Sequence, residues 1–235
     1  MQAPAAAVEI WRESQPGPRP VSARLAFFDM DHTLLRGHSA WFYLEQRRLQ
    51  RPLTRRAWLG FALISGIYSA LGLPPASLRV LERLAGGNAM WLRDLCESCF
   101  QDTLVANLSD EAVARLRQHE QQGDTVVLLS AATQFGVAPV ARYLNVAFRC
   151  TELEVANGRL TGRTLGEVCY GPGKRRWAAC IAQTWGVQLA QSAFYTDSFS
   201  DRGLLFQVGR PVAVNPDLPL RTLAQRRGWE IASFH

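Results

Sequence analysis

Residues 24–35 read RLAFFDMDHTLL, and the break in the middle of that stretch decides the fold. Arg24 to Phe28 is an apolar run of strand length that stops abruptly at Asp29. The same event recurs downstream, where Val126-Val-Leu-Leu129 gives way to Ser130 and Ala193-Phe-Tyr195 gives way to Thr196 and Asp197. Helical patterns fill the intervals at 110–122, 134–144, 172–185 and 217–227. Short apolar strands alternating with helices predict the α/β class, a Rossmann-like parallel sheet covered on both faces. Such sheets bind ligands beyond the carboxyl ends of their strands, which is where these polar residues fall.

One interval breaks the alternation. From about Gly37 to Asn107 the pattern gives four helical segments, broken at Pro52, at Pro74-Pro75 and at Gly86-Gly87-Asn88, with no strand among them. The expected organisation is an arm at 1–22, a catalytic core at 23–37 and 108–235, and a helical cap inserted at 38–107. The arm is rich in Pro, Gly, Ala and Ser, is expected to be poorly ordered, and has no apolar run of signal-peptide length. A smaller interruption at 151–164 carries Asn157-Gly158 between alternating segments, the signal of a hairpin.

Composition narrows the function classes. A chain of 235 residues, 48% hydrophobic and 20% charged, is globular, and its net charge of +6 suits an anionic partner: phosphorylated metabolite, acidic lipid or nucleic acid. The arginines are scattered and no DNA or RNA motif organises them, so no nucleic-acid partner is expected. Five cysteines in a chain too long to need a disulfide framework fit reduced thiols and a cytoplasmic location. Cys96 and Cys99 form a lone C-x-x-C inside a helical pattern, without the second pair or histidine that a zinc site needs.

The chemistry sits at the strand ends. Asp29 and Asp31 are two residues apart where the chain enters a loop, so both can reach one ligand. Aspartates also occur in solvated turns, but the flanking Leu-Ala-Phe-Phe and Thr-Leu-Leu make this loop part of a core. Residues 171–178, GPGKRRWA, hold the only lysine among 26 basic side chains; the other 25 are arginine. A site that needs a compact ammonium on a flexible stem would retain it, because a planar guanidinium is no substitute. Ser130 closes the second strand, and Asp197 and Asp201 follow the third.

These motifs, in this order over about residues 24–235, resemble the haloacid dehalogenase superfamily of aspartate-nucleophile phosphotransferases. The helical insert and the form of YTDSFSDRGLL, residues 195–205, look like its phosphoserine-phosphatase-like branch. The resemblance implies that Asp29 attacks phosphorus and that Asp31 protonates the leaving group and later activates water. It implies Mg2+ held by Asp29, the Asp31 carbonyl and Asp197, with Asp201 acting through a bound water. Thr33, Ser130 with the neighbouring Ala131, and Lys174 would take the phosphoryl oxygens, Lys174 also neutralising the nucleophile.

The expected substrate is a small organic phosphomonoester, with phosphoserine and histidinol phosphate as candidates. In phosphoserine phosphatases a glutamate nine residues after the nucleophile receives the substrate amine; here that place is His38, a candidate contact for an anionic group. Residues 47–56, RRLQRPLTRR, hold five arginines and precede the apolar stretch 57–73. Seventeen helical residues span roughly 25 Å, short of a bilayer core of ~30 Å, so a buried cap helix is expected. The alternative is an interfacial helix that brings a lipid phosphate such as phosphatidylglycerophosphate to the site. Transfer of the phosphoryl group to an acceptor other than water stays open.

Overall fold

The computed structural model of the chain describes residues 24–50 and 87–234; the expected arm and the apolar stretch 57–73 lie outside them. The strands are β1 (Leu25–Phe28), β2 (Thr125–Thr133), β3 (Ala147–Thr151), β4 (Leu153–Ala156), β5 (Arg159–Thr164), β6 (Ala193–Thr196), β7 (Arg210–Val214) and β8 (Glu230–Ala232). Six of them make one sheet in the order β3-β2-β1-β6-β7-β8, every neighbouring pair parallel. The order reverses at β1, which has β2 on one side and β6 on the other. That reversal opens a crevice at the carboxyl end of β1, where Asp29 begins.

The apolar run of β1 is continuous because both its faces are buried. Ala26 and Phe28 point into one hydrophobic cluster, Leu25 and Phe27 into the other. The helices divide accordingly. On the first face lie α1 (Ser39–Gln50), α2 (Ala89–Cys99), α3 (Asp110–Gln121) and α4 (Gln134–Leu144), contributing Tyr43, Leu92, Leu116 and Val140 among others. On the second lie α5 (Pro172–Trp185), α6 (Arg202–Leu205) and α7 (Leu218–Arg227), contributing Ala178, Leu204 and Leu220. Their ends carry the expected signals: Asn88 caps α2, Ser109 caps α3, and Gly186 and Gly228 close α5 and α7 in the left-handed region.

The hairpin forms as β4 and β5, with Asn157 and Gly158 both at positive φ, as a tight two-residue turn requires. Cys96 and Cys99 are buried on α2, and burial pushes both thiols up, Cys99 to about 12, so neither is a ready thiolate. The second strand runs further than its apolar core: β2 continues past Ser130 to Thr133, with a shift in its pairing to β3 between those residues. Among the described residues no helix is long and apolar enough to cross a membrane.

Candidate active site

Backbone hydrogen bonds tie down the loop after β1. Asp29 donates its N–H to the Tyr195 carbonyl of β6 at 2.9 Å, extending the β1–β6 pairing by one residue. The Met30 carbonyl then accepts from Leu34 and Leu35, both at 2.9 Å, folding the loop into a tight turn in which His32 takes φ 56°. Asp29 is 7% exposed at the base of this turn. Its Oδ1 accepts from the Met30 N–H at 2.7 Å and lies 2.9 Å from Lys174 Nζ. Both of these contacts fall on Oδ1 and neither on Oδ2.

Lys174 arrives from the opposite wall, on the first turn of α5. Gly171 adopts φ 48°, Pro172 starts the helix, and a Cβ on Gly173 would stand 1.9 Å from the Val168 carbonyl oxygen. Only glycine lets the helix start that close, and the next side chain is directed to the strand ends. The Lys174 ammonium is 2% exposed and donates to Asp201 Oδ2 at 2.7 Å. Thr196 Oγ1 donates to the same oxygen at 2.8 Å, while Asp201 Oδ1 is buried without a hydrogen-bond partner.

Charge crowding dominates the electrostatics. Burial raises the Asp29 carboxyl to about 6; the Lys174 ammonium opposes the rise, and the Asp201 and Asp31 charges add to it. Asp197 is pushed well above the usual carboxylate range by burial and then by Asp29. Burial would lower the Lys174 ammonium, but Asp201 and Asp29 outweigh it and hold the lysine charged. Asp29 and Asp201 therefore share one ammonium, and Asp197 adds to the crowding.

That imbalance is what a hard divalent cation would relieve. Among the described residues no three His, Cys, Asp or Glu side chains form a ready-made cage. Magnesium does not require one, since it is commonly held by one or two carboxylates with waters and substrate oxygens. The half-satisfied Asp201 and the mutually repelling Asp29 and Asp197 fit such a donor set.

The remaining expected residues have mixed surroundings. Asp31 is held by the start of α1: its Oδ1 accepts from the Ser39 N–H at 2.8 Å and its Oδ2 from Ser39 Oγ at 3.2 Å. His38 Nδ1 lies 3.4 Å from Asp31 Oδ2 and also accepts from the Ala40 N–H at 3.3 Å. Ser130 is buried at the end of the β2 core and its Oγ accepts from the Ala132 N–H at 3.1 Å, so its own proton is left to donate. Ala131 is half-buried beside it. Thr33 Oγ1 is buried with no partner.

Other residues here carry no sequence signature of their own. Asn215, at φ 43° just after β7, donates from Nδ2 to the His32 carbonyl at 3.1 Å and so braces the loop after β1. Asp217 gives its N–H to the Asp197 carbonyl at 2.9 Å and accepts from the Phe199 N–H at 2.9 Å. Both follow a short strand that the hydrophobic pattern does not reveal; a polar residue just past a strand end is the one signal that could find them.

The buried Asp29 and Lys174, with Asp197 and Asp201, thus gather at the carboxyl ends of β1 and β6 in one parallel sheet. The sequence pattern of haloacid dehalogenase-like hydrolases matches residues 26–205. The chain belongs to that family. Within it, the chain is similar to phosphoserine phosphatase SerB1 of Mycobacterium tuberculosis, 32% identical over 89% of this chain and 70% of that one. It is 27% identical to a histidinol-phosphatase of Neisseria meningitidis, over 89% of this chain and 98% of that one. A crystal structure of a Bordetella pertussis protein of unknown function is 32% identical, superposes with a TM-score of 0.74, and is covered over 97% of its length by 89% of this chain. This haloacid dehalogenase-like hydrolase thus resembles the Bordetella protein in fold as well as in sequence.

Proposed function

We propose that the chain is a magnesium-dependent phosphatase that hydrolyses a small organic phosphomonoester, with Asp29 as nucleophile. The observation that supports this most is the buried Lys174 ammonium shared by Asp29 and Asp201. A carboxylate can approach a phosphate dianion only where fixed positive charge offsets their repulsion. Asp29 Oδ2 attacks phosphorus, the phosphorus–oxygen ester bond breaks, and Asp31 gives its proton to the departing alkoxide. Water then attacks the phosphorus of the aspartyl phosphate, Asp31 takes the water's proton, and phosphate leaves a regenerated Asp29 carboxylate. The Ser130 and Thr33 hydroxyls, the Ala131 N–H and Lys174 receive the phosphoryl oxygens.

Asp29, Asp197 and the Asp31 carbonyl would hold magnesium, with Asp201 reaching it through water. When bound, the ion supplies positive charge against the phosphate and the crowded carboxylates. Residues 38–107 serve as the cap over a core made of 23–37 and 108–235, and a cytoplasmic setting suits the buried thiols.

Similarity to the mycobacterial and neisserial enzymes makes phosphoserine and histidinol phosphate the first candidates. His38 bears on the choice, because a substrate ammonium there would meet an imidazole in place of a carboxylate. A phosphate-release screen decides it, covering phosphoserine, histidinol phosphate, sugar phosphates, nucleotides and lysophospholipid phosphates. Release from a small amino-alcohol phosphate, stopped by chelation and absent in Asp197→Asn, is expected. Release from the lysophospholipid alone would move the enzyme to a membrane surface, and release from none would contradict the reading.

A further inference from the structure

The second aspartate of the loop takes its hydrogen bonds from the helix that follows. Asp31 Oδ1 is held by the Ser39 N–H at 2.8 Å and Oδ2 by the Ser39 hydroxyl at 3.2 Å, a contact across eight residues. Ser39 is the first residue of α1 and is 1% exposed. The first turn of α1 has no acidic residue, so Asp31 satisfies an open N–H at the positive end of that helix from outside it. The His38 ring serves the next one, at Ala40.

The helix that carries Ser39 is itself anchored. Tyr43, one turn on, is buried and donates its hydroxyl to the Gly136 carbonyl of α4 at 3.1 Å. The fit is close, since a Cβ on Gly136 would come within 2.8 Å of that hydroxyl. Ser39 is therefore a fixed point relative to the core, whereas a carboxylate in an irregular loop would otherwise rotate.

We propose that Ser39 is the positioning residue for proton delivery by Asp31, an inference that rests on the phosphatase reading. A backbone N–H can only donate, so Oδ1 is kept as an acceptor and the carboxyl proton belongs on Oδ2. The Ser39 hydroxyl donates to Oδ2 in the ionised form and can continue to do so on its second lone pair when that oxygen carries the proton. Ser39 thus selects the oxygen that serves as acid, beside which His38 Nδ1 lies at 3.4 Å.

The test separates this role from simple support of the helix. In Ser39→Ala the hydroxyl is lost and the N–H stays; Ser39→Thr restores a hydroxyl. Each is compared with the parent on an alkyl phosphomonoester, whose leaving oxygen needs a proton, and on p-nitrophenyl phosphate, whose leaving group does not. The readout is kcat/KM, which reports steps up to phosphoryl transfer and is blind to later hydrolysis. Ser39→Ala should lower it about tenfold on the alkyl ester, a fraction of what general acid catalysis supplies, and less than about twofold on the nitrophenyl ester. Ser39→Thr should recover most of the alkyl rate. Equal losses on the two esters, or no loss on either, would overturn the proposal while leaving the nucleophile untouched. Parent enzyme that hydrolyses neither ester, or Asp29→Asn that hydrolyses both, would instead remove the phosphatase reading beneath it.

Discussion

Lys174 shows how far one residue can be read. Its solitary status among 25 arginines marks it in the sequence, and the preceding Gly-Pro-Gly explains how it is aimed. Its partner Asp201 and the unsatisfied Asp201 Oδ1 are visible only once the chain is folded. Lys174→Arg retains the charge but places a planar fork where a compact ammonium bridges two carboxylates at 2.7 and 2.9 Å. Turnover should fall ~10²-fold or more, the cost of one misplaced transition-state donor, with the fold retained by circular dichroism. The single lysine also makes reductive methylation nearly site-directed. Activity should fall in step with modification of Lys174, and full activity after complete modification would exclude the role.

At the scale of elements, legibility follows chain length and partner distance. The helices α3, α4 and α5 are recognisable because each repeats its apolar positions over several turns. The strands β3, β7 and β8 are not. β8 is three residues, β7 contains Pro211, and Arg149 interrupts the apolar pattern of β3. What holds such short strands is lateral. Asp124, His119 and Tyr195 form a buried chain with contacts of 2.7 and 2.8 Å, and Arg115 links Tyr195 onward to Glu230 of β8.

With neutral His119, Nδ1–H donates to Asp124 and Nε2 accepts from the Tyr195 hydroxyl. Burial is the first cause lowering the His119 pKa, although the Asp124 carboxylate opposes it. The unfolded chain thus binds the proton more readily. The stability this residue contributes is present above the ordinary value near 6.5 and is lost as pH falls through the lower folded value. Urea unfolding between pH 7 and 5 should show that loss in the parent and a flatter profile in His119→Gln. Identical profiles would show that the ring does not titrate between the two states. Tyr195→Phe should cost about 1–3 kcal/mol, because it leaves a buried Nε2 without its donor.

On the scale of the whole molecule, the sheet order converts four separate motifs into one site. Asp29, Ser130 and Asp197 lie more than sixty positions apart in sequence, yet Asp29 and Asp197 directly follow β1 and β6 and Ser130 ends the apolar core of the adjacent β2. The apolar-to-polar breaks make these ends legible. The contacts that finish the site, from Ser39, Asn215 and Asp217, are not, because each depends on a fold-dependent approach with no sequence period of its own. The covalent step on Asp29 is the central claim, and it can be caught directly. Rapid acid quench of the enzyme turning over a labelled phosphomonoester, followed by borohydride reduction and peptide mapping, should reveal an acyl phosphate on Asp29, reduced to homoserine at that position alone. Rapid hydrolysis with no label on Asp29, or undiminished hydrolysis by Asp29→Asn, would contradict it.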